Sequence, residues 1–162
     1  MASILIVDDD RAVQLIIKLL LEREGHRITC ANDGPTALRI FREGDFDLLI
    51  VDIFMPGMDG LETMKLVHQY RPGVPIIVIS GHGFSSRSVP SPDFLAMSTR
   101  LGAVFSLRKP FKSAMLLSQV AHCLEAGEQM RNVAPNLSDG ASSAKGYLAP
   151  AVVHTKLPSS LQ

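Results

Sequence analysis

Residues 47–60 read DLLIVDIFMPGMDG. The run Leu48–Val51 is apolar without a break, the pattern of a strand covered on both faces. Asp52 closes it. Met55-Pro56-Gly57-Met58-Asp59-Gly60 then reads as a loop, and Asp59 is a good N-cap for a helix carried by Leu61, Met64 and Val67. A doubly buried strand, an acid at its carboxyl end and a capped helix make half of a strand–helix–strand unit. Such units build parallel sheets.

The same pattern repeats outward in both directions. Upstream, Ile4–Val7 is a buried strand followed by Asp8-Asp9-Asp10. Val13, Ile16, Ile17, Leu20 and Leu21 recur at helical spacing, and Gly25 stops that helix. His26–Cys30 is a short second strand. Asp33-Gly34-Pro35 opens a helix whose Ala37, Leu38 and Phe41 face inward. Downstream, Pro72-Gly73 ends the third helix and Ile76–Ile79 is a fourth strand. A polar stretch with Ser85, Ser86, Ser88, Pro90, Ser91 and Pro92 leads to a short helix expected over about 93–101. Val104–Leu107 is the fifth strand, and a last helix is expected over about Ser113–Ala126. Strand–helix alternation with short links predicts an α/β fold, a parallel sheet with helices on both faces. Residues 1–127 form the domain. Residues 128–162 hold scattered Ala, Ser, Pro, Asn and Gly and are expected to be a disordered tail, too short for an output domain.

Composition narrows the class. The 162 residues are 46% hydrophobic and 20% charged, so a sizeable core is expected in a soluble globular chain. Lys plus Arg equals Asp plus Glu at 16 each, which predicts no nucleic-acid partner and no attraction to an anionic membrane. No apolar run approaches a bilayer span, and the amino terminus lacks the basic region of a secretory signal. Cys30 and Cys123 stand far apart without ligand spacing and read as reduced thiols of a cytoplasmic protein.

In open parallel sheets ligands bind beyond the carboxyl ends of the strands, where strand order reverses. Those ends carry Asp8-Asp9-Asp10, Asp52, Ser80 and Lys109-Pro110. Taken singly, each has a plain explanation. An aspartate after a strand is more often a cap, and Asp10 reads as one. Together they form a chemistry. Close carboxylates repel by roughly 4 kcal/mol per pair at an effective dielectric near 20, so the cluster either traps protons or binds a hard cation, and for a cation the oxygen ligands suit Mg2+. The cation makes Asp52 approachable by an anionic phosphoryl donor. Asp52 is then a carboxylate nucleophile, Lys109 a point cation and Ser80 a hydroxyl for a phosphoryl oxygen.

Four segments carry a resemblance: residues 4–10, 47–60, 75–81 (PIIVISG) and 107–111 (LRKPF). Over about residues 2–126 the chain closely resembles the receiver domains of bacterial two-component response regulators. The resemblance implies a flavodoxin-like, chemotaxis-regulator-like fold with a five-stranded sheet in the order 2-1-3-4-5. It makes Asp52 the phosphoacceptor, with Asp9, Asp52 and the backbone carbonyl of Phe54 as Mg2+ ligands and Asp8 acting through a metal-bound water. Ser80 and Lys109 hold the phosphoryl oxygens, and Lys109-Pro110 is a cis peptide. The donor is a histidine kinase or a histidine phosphotransfer protein. The protein is then not an enzyme in the ordinary sense. It catalyses its own phosphorylation and slow dephosphorylation, and it signals by protein–protein interaction without an output domain.

Two positions depart from the family pattern. The usual switch aromatic, three residues before the lysine, is replaced by Ser106, and Phe105 precedes it on the opposite face of the strand. The segment 84–100 is long and rich in serine and proline. Two other readings compete. A degenerate receiver would serve only as an interaction module. A haloacid-dehalogenase-type phosphatase would use Asp8-Asp9-Asp10, Ser80 and Lys109. It would need an acidic pair downstream, where only Glu125, Glu128 and Asp139 occur, and it leaves Asp52 unexplained.

Overall fold

The computed structural model describes residues 1–81 and 103–133, with side chains through residue 128. Strands β1 (Ser3–Val7), β2 (Arg27–Ala31), β3 (Leu48–Asp52), β4 (Ile76–Ser80) and β5 (Phe105–Arg108) form one sheet. Its order is β2-β1-β3-β4-β5 and every pairing is parallel. Helices α1 (Arg11–Arg23), α2 (Gly34–Glu43), α3 (Gly60–Tyr70) and α4 (Ser113–Val133) complete the described elements. The helix expected over 93–101 and the tail beyond Val133 lie outside the described residues.

The three central strands are buried at every position, while the edge strands β2 and β5 are partly exposed. Alternate residues feed two cores. Leu5, Val7, Leu49, Val51, Ile76 and Val78 pack against α2 and α3 through Ala37, Phe41, Met64 and Val67. Ile4, Ile6, Leu48, Ile50, Ile77 and Ile79 pack against α1 and α4 through Ile17, Leu21, Leu116 and Val120. Phe41 is 1% exposed and stacks on Phe46 at 5.9 Å between ring centroids. Burying one such side chain stabilises the fold by about 1.5–3 kcal/mol.

Each helix begins where its cap allows. The Asp10 carboxylate accepts from the amides of Ala12 and Val13, Asp33 from Thr36, and Asp59 from Glu62. These bonds satisfy amides that no helical carbonyl can reach. Gly25 sits at φ 83°, past the end of α1. Its amide donates to the Glu22 carbonyl and that of His26 to Leu21, the paired bonds of a Schellman ending.

Two helices, α1 and α4, differ from the sequence reading. The buried stripe of α1 is Gln14, Ile17 and Leu21, while Ile16 is 57% exposed. The last helix runs to Val133 rather than about Ala126, so residue 128 falls within it. Gly127 does not stop this helix. A glycine inside a helix costs only about 1 kcal/mol relative to alanine.

Candidate functional site

Strand order reverses at β1, which lies between β2 and β3. The carboxyl ends of β1 and β3 therefore open a crevice, and the acids stand there. Asp52 is the last residue of β3 and pairs in register with Ile79 of β4, the neighbour of Ser80. Asp8 and Asp9 follow β1 directly. Lys109 follows β5, where its backbone amide donates to the Ser80 carbonyl at 2.7 Å. The sheet register thus brings four strand ends to one place.

The turn after β3 is held tight. The Gly60 amide, at the start of α3, donates to the Ile53 carbonyl at 2.9 Å. A Cβ on Gly60 would overlap the backbone carbonyl of Asp52. Only glycine lets α3 close on the strand end at this distance.

Asp8 is 1% exposed and Asp52 is 5% exposed, while Asp9 faces solvent. One carboxylate oxygen from each lies within 4.8 Å of the others. Lys109 Nζ reaches into the cluster, 2.7 Å from Asp8 Oδ2 and 3.2 Å from Asp52 Oδ2. Three carboxylates against one ammonium leave a formal charge of −3 + 1 = −2. A divalent cation matches that charge, and the all-oxygen donor set suits a hard ion such as Mg2+.

The two oxygens of Asp52 differ. Oδ2 accepts from Lys109, whereas Oδ1 is buried with no hydrogen-bond partner among the described residues. A buried carboxylate oxygen left in this state costs free energy unless a ligand completes it. Burial pushes the Asp52 carboxyl above its ordinary value and the Asp8 carboxylate adds to the push, together outweighing the pull of the Lys109 ammonium and of the Phe54 backbone amide. Burial lowers Lys109, but its bonds to Asp8 and Asp52 outweigh this and hold it above the usual lysine value.

Asp8, Asp9, Asp52 and Lys109 come together. Ser80 is buried at the end of β4, one residue past the partner of Asp52. Asp10 is a cap. Phe54 is half-buried against the α2–α3 core. The Lys109–Pro110 peptide is cis. Phe105 pairs with Ile77 and its ring meets His122 of α4 edge-on at 5.4 Å, on the α1–α4 side. Ser106 pairs with Val78, whose side chain belongs to the opposite core. Phe105 therefore does not occupy the place of the missing aromatic. Glu125 and Glu128, the acids a dehalogenase-type phosphatase would need, stand exposed on α4.

One residue escaped the sequence reading. Gln14 is buried on α1, and its side-chain amide donates to the backbone carbonyl of Asp8 at 2.6 Å. Its spacing to Ile17 and Leu21 was the available signal, since a polar residue at i on an i, i+3, i+7 apolar stripe must be bonded.

Comparison with known proteins agrees with this geometry. The model of the response regulator receiver domain matches residues 4–121, and the chain belongs to that family. It is similar to a receiver domain protein described as CheY-like from Methanospirillum hungatei JF-1, with a TM-score of 0.73 and 30% identity over 80% of this chain and 98% of that one. It is 33% identical over 135 residues to the transcriptional regulatory protein CpxR of Escherichia coli, covering 82% of this chain and 54% of CpxR. It is 29% identical over 153 residues to the sensory/regulatory protein RpfC of Xanthomonas campestris, covering 92% of this chain and 20% of RpfC. The chain thus spans between a fifth and about half the length of these two curated relatives. Among the described residues no helix is long and apolar enough to cross a membrane.

Proposed function

We propose that this receiver domain is an active phosphoacceptor, phosphorylated on Asp52 by a histidine kinase or a histidine phosphotransfer protein and signalling through protein contacts. The observation that carries the reading is the inequality of the Asp52 oxygens. Oδ2 is held by Lys109, and the buried Oδ1 has no partner among the described residues. One oxygen is anchored and the other is left to react.

Asp9, Asp52 and the Phe54 backbone carbonyl hold Mg2+ in this reading, with Asp8 acting through a bound water. The donor set and the surplus charge of two support that assignment. When bound, Mg2+ neutralises charge on the anionic donor and on the phosphoryl group in flight. Asp52 Oδ1 supplies the electron pair. It attacks phosphorus, the bond from phosphorus to the donor imidazole nitrogen breaks, that nitrogen keeps the bonding electrons, and the proton on the other ring nitrogen lets the ring leave as neutral imidazole. The product is an acyl phosphate on Asp52 and a free imidazole. Lys109 and Ser80 hold phosphoryl oxygens. Later attack by water releases inorganic phosphate and restores the carboxylate. The balanced charge of the chain supports proteins rather than nucleic acid as its contacts. The domain is assigned to residues 1–127 and the adjoining part of α4.

The test uses acetyl phosphate as a small donor. Wild type and Asp52→Asn are incubated with it, with and without Mg2+, and intact mass is measured. Wild type gains one phosphoryl group only with Mg2+, and Asp52→Asn gains none. An equal gain in both proteins would remove Asp52 from its role.

A further inference from the structure

Gln14 is the polar exception on the buried stripe of α1, and no step above uses it. It is 6% exposed. Its Nε2 lies 2.6 Å from the Asp8 carbonyl oxygen, 2.8 Å from that of Ala31 and 3.1 Å from Asn32 Oδ1. All three neighbours are acceptors. The amide must therefore present its nitrogen here, because its oxygen would face three other oxygens. Two hydrogens serve three acceptors, so one is shared.

The Asp8 carbonyl belongs to the peptide that joins Asp8 to Asp9. A peptide is planar, so holding its oxygen fixes the plane and the direction in which Asp9 leaves it. The rest of Asp8 is held as well. Its amide donates to the Ala31 carbonyl at 3.2 Å, Oδ1 accepts from the Asp10 amide at 2.9 Å, and Oδ2 accepts from Lys109. Asp9, by contrast, is exposed. Its carboxylate meets the other two because of the backbone it stands on.

We propose that Gln14 is a positioning residue for the acidic site: it ties the Asp8–Asp9 peptide to the end of β2, aims the Asp9 carboxylate at the divalent cation, and so sets the affinity for Mg2+. The inference rests on the reading that Asp8, Asp9 and Asp52 take Mg2+. Gln14 touches neither metal nor phosphoryl group. It acts only through Asp8 and Asp9.

The test is a Mg2+ titration of the full chain without any phosphodonor, followed by calorimetry or by the amide shifts of residues 8–10 and 52–54. Gln14→Met keeps the length and removes the donor. Ile17→Val, a core truncation on the same helix, controls for general loosening, and thermal midpoints are recorded for all proteins. Gln14→Met is expected to weaken Mg2+ binding about tenfold, the low end for loss of a group supporting a metal ligand. Ile17→Val is expected to leave the affinity within about twofold of wild type, since it touches no bond of that outer shell. Should Gln14→Met fail to fold, Gln14→Asn carries the test, with an amide one methylene short of the Asp8 carbonyl and an expected loss of about threefold. Unchanged affinity in the Gln14 variants overturns the proposal. So does a loss in Ile17→Val that tracks its midpoint as the Gln14 variants track theirs. A wild type that binds no Mg2+ overturns the reading of the site itself, and this inference with it.

Discussion

Asp52 is held in a state that costs the fold something. Burial keeps its carboxyl above the ordinary value, so the folded protein binds a proton there more tightly than the unfolded chain does. The resulting stability is full below the ordinary carboxylate range and is lost as pH rises through the raised folded value. At pH 7 and without metal, the ionised carboxylate therefore opposes folding. Asp52→Asn is expected to be more stable than wild type at pH 7 by about 1 kcal/mol, the usual size of a single stabilising change. The gap should close as pH falls through the carboxylate range. Denaturant midpoints across pH check this, and a wild type that is the more stable protein at pH 7 contradicts it. Phe54 stands two residues past the acceptor, half-buried against the α2–α3 core, and is expected to shield the acyl phosphate from water. Its ring is bulky and offers no hydrogen bond. Phe54→Asn is expected to speed decay of the phosphorylated state about tenfold, which corresponds to ~1.4 kcal/mol in the barrier. Decay is followed after donor removal, with His82→Ala, at a position outside the described residues, as the control. An unchanged rate in Phe54→Asn beside a clear change in His82→Ala, whose imidazole could guide the attacking water, would transfer the control of lifetime to His82.

The sequence pattern located all five strands, yet four of them end one residue later than expected. The ladders of β3 and β4 include Asp52 and Ser80, and β5 includes Arg108. For β3 and β4 the reason is physical: Asp52 and Ser80 still pair in the sheet while lying at its carboxyl edge, so polarity there does not mark an end. The helix starts were legible because Asp10, Asp33 and Asp59 are local signals. The spacing of Gln14 showed that it must be bonded but not to what, because its partners are the backbone carbonyls of Asp8, just past β1, and Ala31 at the end of β2, which no sequence pattern displays. The close approach at Gly60 is equally silent, since sequence shows the glycine but not the Asp52 carbonyl against it. That contact gives a prediction for the α3 entry. Gly60→Ala forces the helix start off the end of β3 and is expected to cost about 2 kcal/mol, within the range for overpacking a tight site. Chemical denaturation measures it, and an unchanged midpoint would show that the β3–α3 turn can give way.

Across the whole molecule, two apolar cores clamp a sheet whose central strands deliver their carboxyl ends to one crevice. Alternation of strands and helices announced a parallel sheet, but the order 2-1-3-4-5 came from resemblance, because periodicity is blind to which strands neighbour each other. Convergence of Asp8, Asp9, Asp52 and Lys109 follows from that order, and the local turns after β1 and β3 complete it. The fold therefore positions the chemistry, and the central claim is that Asp52 alone accepts the phosphoryl group. Borohydride reduces an acyl phosphate on aspartate to the alcohol, leaving homoserine at the acceptor. Wild type treated with acetyl phosphate and Mg2+, reduced, digested and sequenced by mass should carry homoserine at position 52. Homoserine at position 8 or 9, or at no position after a measured phosphoryl gain, would contradict the account.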